Sequence, residues 1–248
     1  MKKTIIILII LLVLALIVGL SRESKPRVSI PEIPTPTGPT ELCYYRNEKT
    51  ASGLYDRAWM KLTVNEEKVS GELRLLPAEK DSKIGDFTGT FTDISEGGTI
   101  AGDASVIWNT KAEGMTAKEE LSFYFDDIFG GADAGVKIKF GEMVKGANGV
   151  YVYKNKANTT TQTIPPVDCA VLNEVITVEA YIRSTDLVAL TKTSPVLGGK
   201  LYVTGVVVDP TAHNALVSYE DGHMAYKGTL TYTFSQSKVT PVNFVETK

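Results

Sequence analysis

Cysteine, histidine and tryptophan are scarce, two of each in 248 residues. C-x-x-C and zinc-ligand spacings are absent, which removes the usual frames for redox and zinc chemistry. Neither a G-x-S-x-G elbow nor a G-x-x-x-x-G-K-[ST] loop occurs, so nucleophilic serine and P-loop chemistry lack their recurrent geometry. Basic excess is missing too. Without Lys2 and Lys3 the chain carries 24 basic and 29 acidic residues. A mildly acidic body has no basic stripe to displace counterions from phosphates, which excludes nucleic acid as a partner. No cofactor is called for.

What is present begins with one long hydrophobic run. Lys2 and Lys3 precede an apolar stretch from Ile5 to Leu20, broken only by Gly19. A charged start followed by an apolar core is the layout of a secretory signal. Its sixteen residues span about 24 Å as a helix, somewhat short of a ~30 Å hydrocarbon core. Gly19-Leu20-Ser21 is a poor cleavage site. Residues 1–21 therefore read as an uncleaved, single-pass signal anchor with the folded part outside the cytoplasm; the alternative is secretion after cleavage. Pro26, Pro31, Pro34, Pro36 and Pro39 then crowd into residues 22–41. That composition favours polyproline II and builds no core, giving a spacer up to roughly 60 Å long. In an exported chain the pair Cys43 and Cys169 suggests a disulfide.

Residues 42–156 read as a run of antiparallel strands. Ala58, Met60, Leu62 and Val64 alternate with polar neighbours, and after Asn65-Glu66-Glu67 the alternation resumes at Val69, Gly71, Leu73 and Leu75. This period of two marks half-buried strands joined by a hairpin. Similar runs centre on Phe87, Val106, Phe123 and Ile138. About eight strands with short links predict a meander barrel resembling the calycin type, with an open sandwich second.

Residues 167–248 change character, to a mainly β chain with an α+β layout. Asp168 can cap a first short helix and Thr177 with Glu179 can open a second; Val178, Tyr181, Ile182, Thr185 and Val188 form an apolar stripe. Four strands follow, over 200–209, 215–220, 223–235 and 239–246, with Asp221-Gly222 as a hairpin turn. The expected arrangement is a helix laid on a four-stranded antiparallel sheet.

Few constellations carry chemistry. His213 and His223 are the only histidines, and His223 stands beside Glu220 and Asp221. Imidazole next to carboxylates suits acid–base work, ligand binding or a metal, although the hairpin alone accounts for Asp221 and Gly222. Asp126, Asp127 and Asp133 flank a glycine-rich loop. Oxygen ligands on a loop suit calcium, yet no closing bidentate Glu follows at a calcium-loop distance. Glu119 and Glu120, adjacent on a strand, must point to opposite faces and so cannot act as a paired carboxylate site. Trp59, Tyr44 and Tyr45 could form an aromatic platform or pad the contact between the two modules.

The segments Lys118-Glu119-Glu120-Leu121, Phe140-Gly141-Glu142-Met143, Gly149-Val150-Tyr151-Val152-Tyr153 and Tyr219-Glu220-Asp221-Gly222-His223 resemble those of a family of exported, signal-anchored bacterial β-rich proteins to which no activity is attached. The resemblance implies a bacterial envelope setting and transfers no catalytic residue. The second module is also similar to cystatin-like inhibitors in layout, without their Q-x-V-x-G motif. The expectation is a non-enzymatic, membrane-held binding module whose partner is an envelope polymer, a small ligand or a protein. The alternatives are an envelope enzyme on the Glu220/Asp221/His223 hairpin, or an inhibitor of a secreted hydrolase.

Overall fold

Alternating side chains and tight turns give a meander of long strands at the start of the folded chain. A computed structural model describes residues 38–91, 102–126, 135–196 and 198–247. The 1–21 segment, most of the 22–41 spacer, and Asp127 and Asp133 lie outside the described residues. Among the described residues no helix is long and apolar enough to cross a membrane.

Strands β1 (Thr40–Lys49), β2 (Tyr55–Asn65), β3 (Lys68–Leu76), β4 (Lys83–Phe91), β5 (Gly102–Ala112), β6 (Met115–Asp126) and β7 (Gly135–Gly141) pair in sequence order. Each neighbour is antiparallel. Short strands β8 (Met143–Lys145) and β9 (Tyr151–Tyr153) attach beside β6. Then β10 (Thr159–Ile164) pairs with β7, and β11 (Pro166–Val167) pairs with β1. The two ends of the sheet are thus two halves of one stretch, separated only by Pro165. Proline has no N–H to give a ladder, and the chain bends there from one partner to the other. The Tyr45 amide donates to the Pro165 carbonyl at 3.0 Å. The sheet is rolled into eight staves; the sequence pattern predicts the seven of the meander, while the eighth is β10 and not the segment around residues 150–154, which forms only the short β9. The ring of ladder pairs stays open where β10 faces the later half of β1. There the Arg46 guanidinium crosses the gap, donating to the Thr163 carbonyl at 3.1 Å and to Gln162 Oε1 at 3.2 Å.

The inward face is an apolar core. Trp108, Phe87, Phe123, Phe125, Met60 and Tyr44 are almost fully buried in it, and Trp108 Nε1 donates to the Gly85 carbonyl. A Cβ at Gly85 would run into the backbone of Asn109 on the neighbouring strand, so that close approach needs glycine. Aromatic side chains fill the barrel through its middle.

The second module opens with α1 (Cys169–Ser184), capped by Asp168, whose side chain accepts from the Ala170 amide at 2.7 Å. A second short helix, α2 (Leu187–Thr191), is capped by Asp186. The helix break therefore falls at Thr185 rather than near Thr177. Thr177 sits within α1 and turns its hydroxyl back onto the Asn173 carbonyl at 2.6 Å, which satisfies the side chain without interrupting the helix. Strands β12 (Tyr202–Asp209), β13 (Asn214–Glu220), β14 (Ala225–Ser235) and β15 (Lys238–Thr247) form a separate antiparallel sheet in sequence order.

Helix α1 is packed on both sides. Val175, Val178 and Ile182 enter the core of the four-stranded sheet against Val206, Val217 and Leu230. Leu172 and Ile176 pack against Trp59 and the Cys43–Cys169 disulfide on the outer wall of the barrel. Arg57 bonds Glu179 at 3.4 Å across the same contact, and Lys61 donates to Asn173 Oδ1. Residues 172, 173, 176 and 179 recur at three and four, one face of a helix; residues 175, 178 and 182 make the other.

Candidate functional site

The inward parity of the barrel strands is apolar until one end is reached, and there it turns polar. On β1 the inward side chains run Leu42, Tyr44, then Arg46; on β2 they run Leu62, Met60, Ala58, then Asp56. Lys83 precedes the buried Phe87 on β4, and Gln162 and Thr160 precede Ile164 in the same sense on β10. These strand ends, with Leu75 and Phe140, surround a cavity of about 520 Å³ at one mouth of the barrel. Residues 77–81 of the β3–β4 connection form its rim. Asp56 fixes that rim, its Oδ1 accepting from the Ala78 amide at 2.7 Å. Ser52, on the β1–β2 turn, donates to Glu79 Oε1 at 2.8 Å.

The charges around the mouth divide into paired and unpaired. Lys83 bonds Glu119 at 2.6 Å, and Arg57 bonds Glu179. Arg46 has no carboxylate partner among the described residues: its two bonds go to a backbone carbonyl and an amide oxygen, and its Nε is buried without an acceptor. Two residues deeper on the same face, the Tyr44 hydroxyl is also buried without a partner, and burial pushes that phenol well above its usual range. Arg46 is thus a half-buried cation that faces neutral acceptors on the wall of a cavity with apolar patches.

The other candidates are distributed differently. His213 and His223 stand at opposite ends of β13, a seven-residue strand, and do not meet. His213 adopts φ 47° and places Nδ1 3.0 Å from Glu174 Oε1, which also accepts from the Tyr232 hydroxyl at 2.8 Å. Asp221 is committed to backbone: its Oδ1 accepts from His223 N and Met224 N, and its Oδ2 from Val196 N. Those donors hold its carboxyl down at about 2. Gly222 takes φ 86° in the turn, the left-handed backbone a side chain resists. Glu220 is exposed at the end of β13.

Asp126 ends β6, opposite Gly135; its two companions lie outside the described residues, so the calcium reading stays a sequence expectation. Glu119 points inward to Lys83, while Glu120 pairs with Lys156 outside; the two carboxylates form no catalytic pair. Tyr44 and Tyr45 likewise split between faces. Tyr45 and Trp59 are covered by the second module, with Tyr45 Oη donating to the Val208 carbonyl at 3.3 Å. Burial raises that phenol to about 12. The aromatic platform is therefore padding between modules. Glu41 lies close to both cysteine sulfurs, but those sulfurs are consumed by the disulfide.

The mouth was not singled out by motif, yet it left a trace: a charged or amide residue at the inward parity near one end of strand after strand. No family model matches the chain, and neither a curated protein nor a solved structure is significantly similar to it, so the segment resemblance described above brings no family with it.

Proposed function

We propose that this chain is a non-enzymatic binding module outside the cytoplasmic membrane, held by residues 1–21 and spaced from the surface by residues 22–41, which takes a small ligand into the mouth of its barrel. The observation that carries the reading is the 520 Å³ cavity, a volume within the range of small-molecule sites. Its walls set an apolar patch that includes Leu75 and Phe140 among a larger number of polar and charged side chains, several of them fixed by the bonds described above. The hairpin favours no enzyme, because Asp221 is used up by three backbone amides.

The test is a screen of small neutral, anionic and cationic compounds against the full chain by native mass spectrometry. It is repeated on Thr160→Trp, which fills the cavity from an inward position at its edge. Compounds retained by the natural chain and lost from Thr160→Trp are expected. Retention by neither protein, or equally by both, overturns the reading.

A further inference from the structure

We infer that the mouth of the barrel selects a small organic anion, a carboxylate or sulfonate on a compact apolar body, with Arg46 as the group that receives its charge. The inference deepens the binding reading above and rests on it.

The argument starts from charge balance. Burying part of a guanidinium without a counter-charge costs free energy unless something compensates it. Among the described residues the other three arginines, Arg57, Arg74 and Arg183, each meet a carboxylate at 3.4 Å or less. Arg46 instead spends one N–H on the Thr163 carbonyl and one on Gln162 Oε1. Of five guanidinium N–H groups, the remainder have neither a carboxylate nor a carbonyl among the described residues. Asp56, an inward carboxylate that lines the same cavity, is turned to the rim and engaged by Ala78 N. The two bonds to β10 also hold the planar group in place across the seam, so an arriving anion meets an oriented donor rather than a free side chain, and less entropy is lost on binding.

The apolar side of the site sets the rest of the ligand. Leu75 and Phe140 line the same cavity, and its volume admits a body of one or two rings. The site therefore asks for a negative head and a short hydrophobic body. On the exposed rim Lys80 stands between Glu79 and Asp81, which line the same cavity, so its charge is offset there and it is not held by the barrel wall.

The experiment uses three probes of one size: naphthalene-2-carboxylate, naphthalene-2-methanol and protonated naphthalen-2-ylmethylamine. Binding to the purified full chain is measured by isothermal titration against matched blanks. The carboxylate is expected to bind at least about tenfold tighter than the alcohol, and more weakly as salt rises, since a charge-assisted bond is roughly twice as strong as a neutral one. Arg46→Gln should bring the carboxylate to the level of the alcohol, Arg46→Lys should restore part of the difference, and Lys80→Gln should leave it nearly intact. Alcohol and carboxylate binding equally to the natural chain would overturn the anion inference while leaving a ligand-binding mouth. An equal loss in Lys80→Gln and Arg46→Gln would also overturn it, as a diffuse field would then replace the anchor. No binding by any of the three would count against the binding reading itself. If Arg46→Gln fails to fold, the comparison of the three probes on the natural chain decides alone.

Discussion

Single residues here separate into those held by the protein and those held by nothing. Asp221 belongs to the first kind, and its three amide partners make it sensitive to acid. Its carboxyl lies at about 2, below the ordinary 3.8. A group depressed in the folded state adds stability above its unfolded value, and that addition is lost as pH falls toward the folded one. The Tm of the natural chain should therefore exceed that of Asp221→Asn at pH 6. The gap should close between about pH 4 and pH 2. Thermal melts across that range check it, and a gap unchanged at pH 2 would show that the ionised form does no stabilising. The histidine beside Asp221 needs no role in this account, because the turn is fixed through His223 N, not through the imidazole.

At the scale of elements, α1 is the joint between two sheets, and its one buried carboxylate ties it to the smaller. Glu174 accepts from Tyr232 and faces His213. Glu174→Leu leaves the Tyr232 hydroxyl buried without its acceptor and should cost roughly 1–3 kcal/mol. Tyr232→Phe made in the same chain should recover most of that loss, since an apolar pair replaces both partners. Urea unfolding of the two single variants and the double variant gives the coupling; simple additivity would mean the bond does not hold the helix. This element also marks the limit of reading from sequence. The stripe of Val178, Tyr181 and Ile182 was legible as a helix face. Its second face was not, because Leu172, Asn173, Ile176 and Glu179 are apolar and polar by turns and match an equally mixed barrel wall. Strand β10 was missed for a related reason. Its inward residues Thr160 and Gln162 line the cavity instead of the core, so the polar run Thr159–Thr163 shows no hydrophobic alternation. The strands with apolar inward faces were legible; the residues of the mouth were not, since polar side chains at an inward parity are the opposite of the pattern that reveals a strand.

For the whole molecule the disulfide sets the connectivity that matters. Cys43 lies near the start of the barrel and Cys169 begins α1, 126 positions later. Opening so long a loop in the unfolded chain should cost up to about 5 kcal/mol in the chain-entropy account. Cys43→Ser with Cys169→Ser is expected to lower the midpoint of denaturant unfolding accordingly, in the absence of reductant. A midpoint that does not move would mean the packing of Leu172 on Trp59 secures the joint without the bond.

The same linkage decides where a pulling force would travel. Tension between residue 38 and the C-terminal strand runs from Thr40 to Cys43, crosses the sulfur bridge to α1, and continues through the smaller sheet. The 126-residue stretch that contains the mouth of the barrel is left out of that path. Roughly 400 Å of contour is thereby locked away from extension at about 3.3 Å per residue. A chain stretched by its two ends would surrender α1 and the four-stranded sheet while the barrel kept its shape, and with the bridge reduced the barrel would become extensible as well. The covalent clip thus works as a mechanical bypass for the barrel residues that lie between the two cysteines.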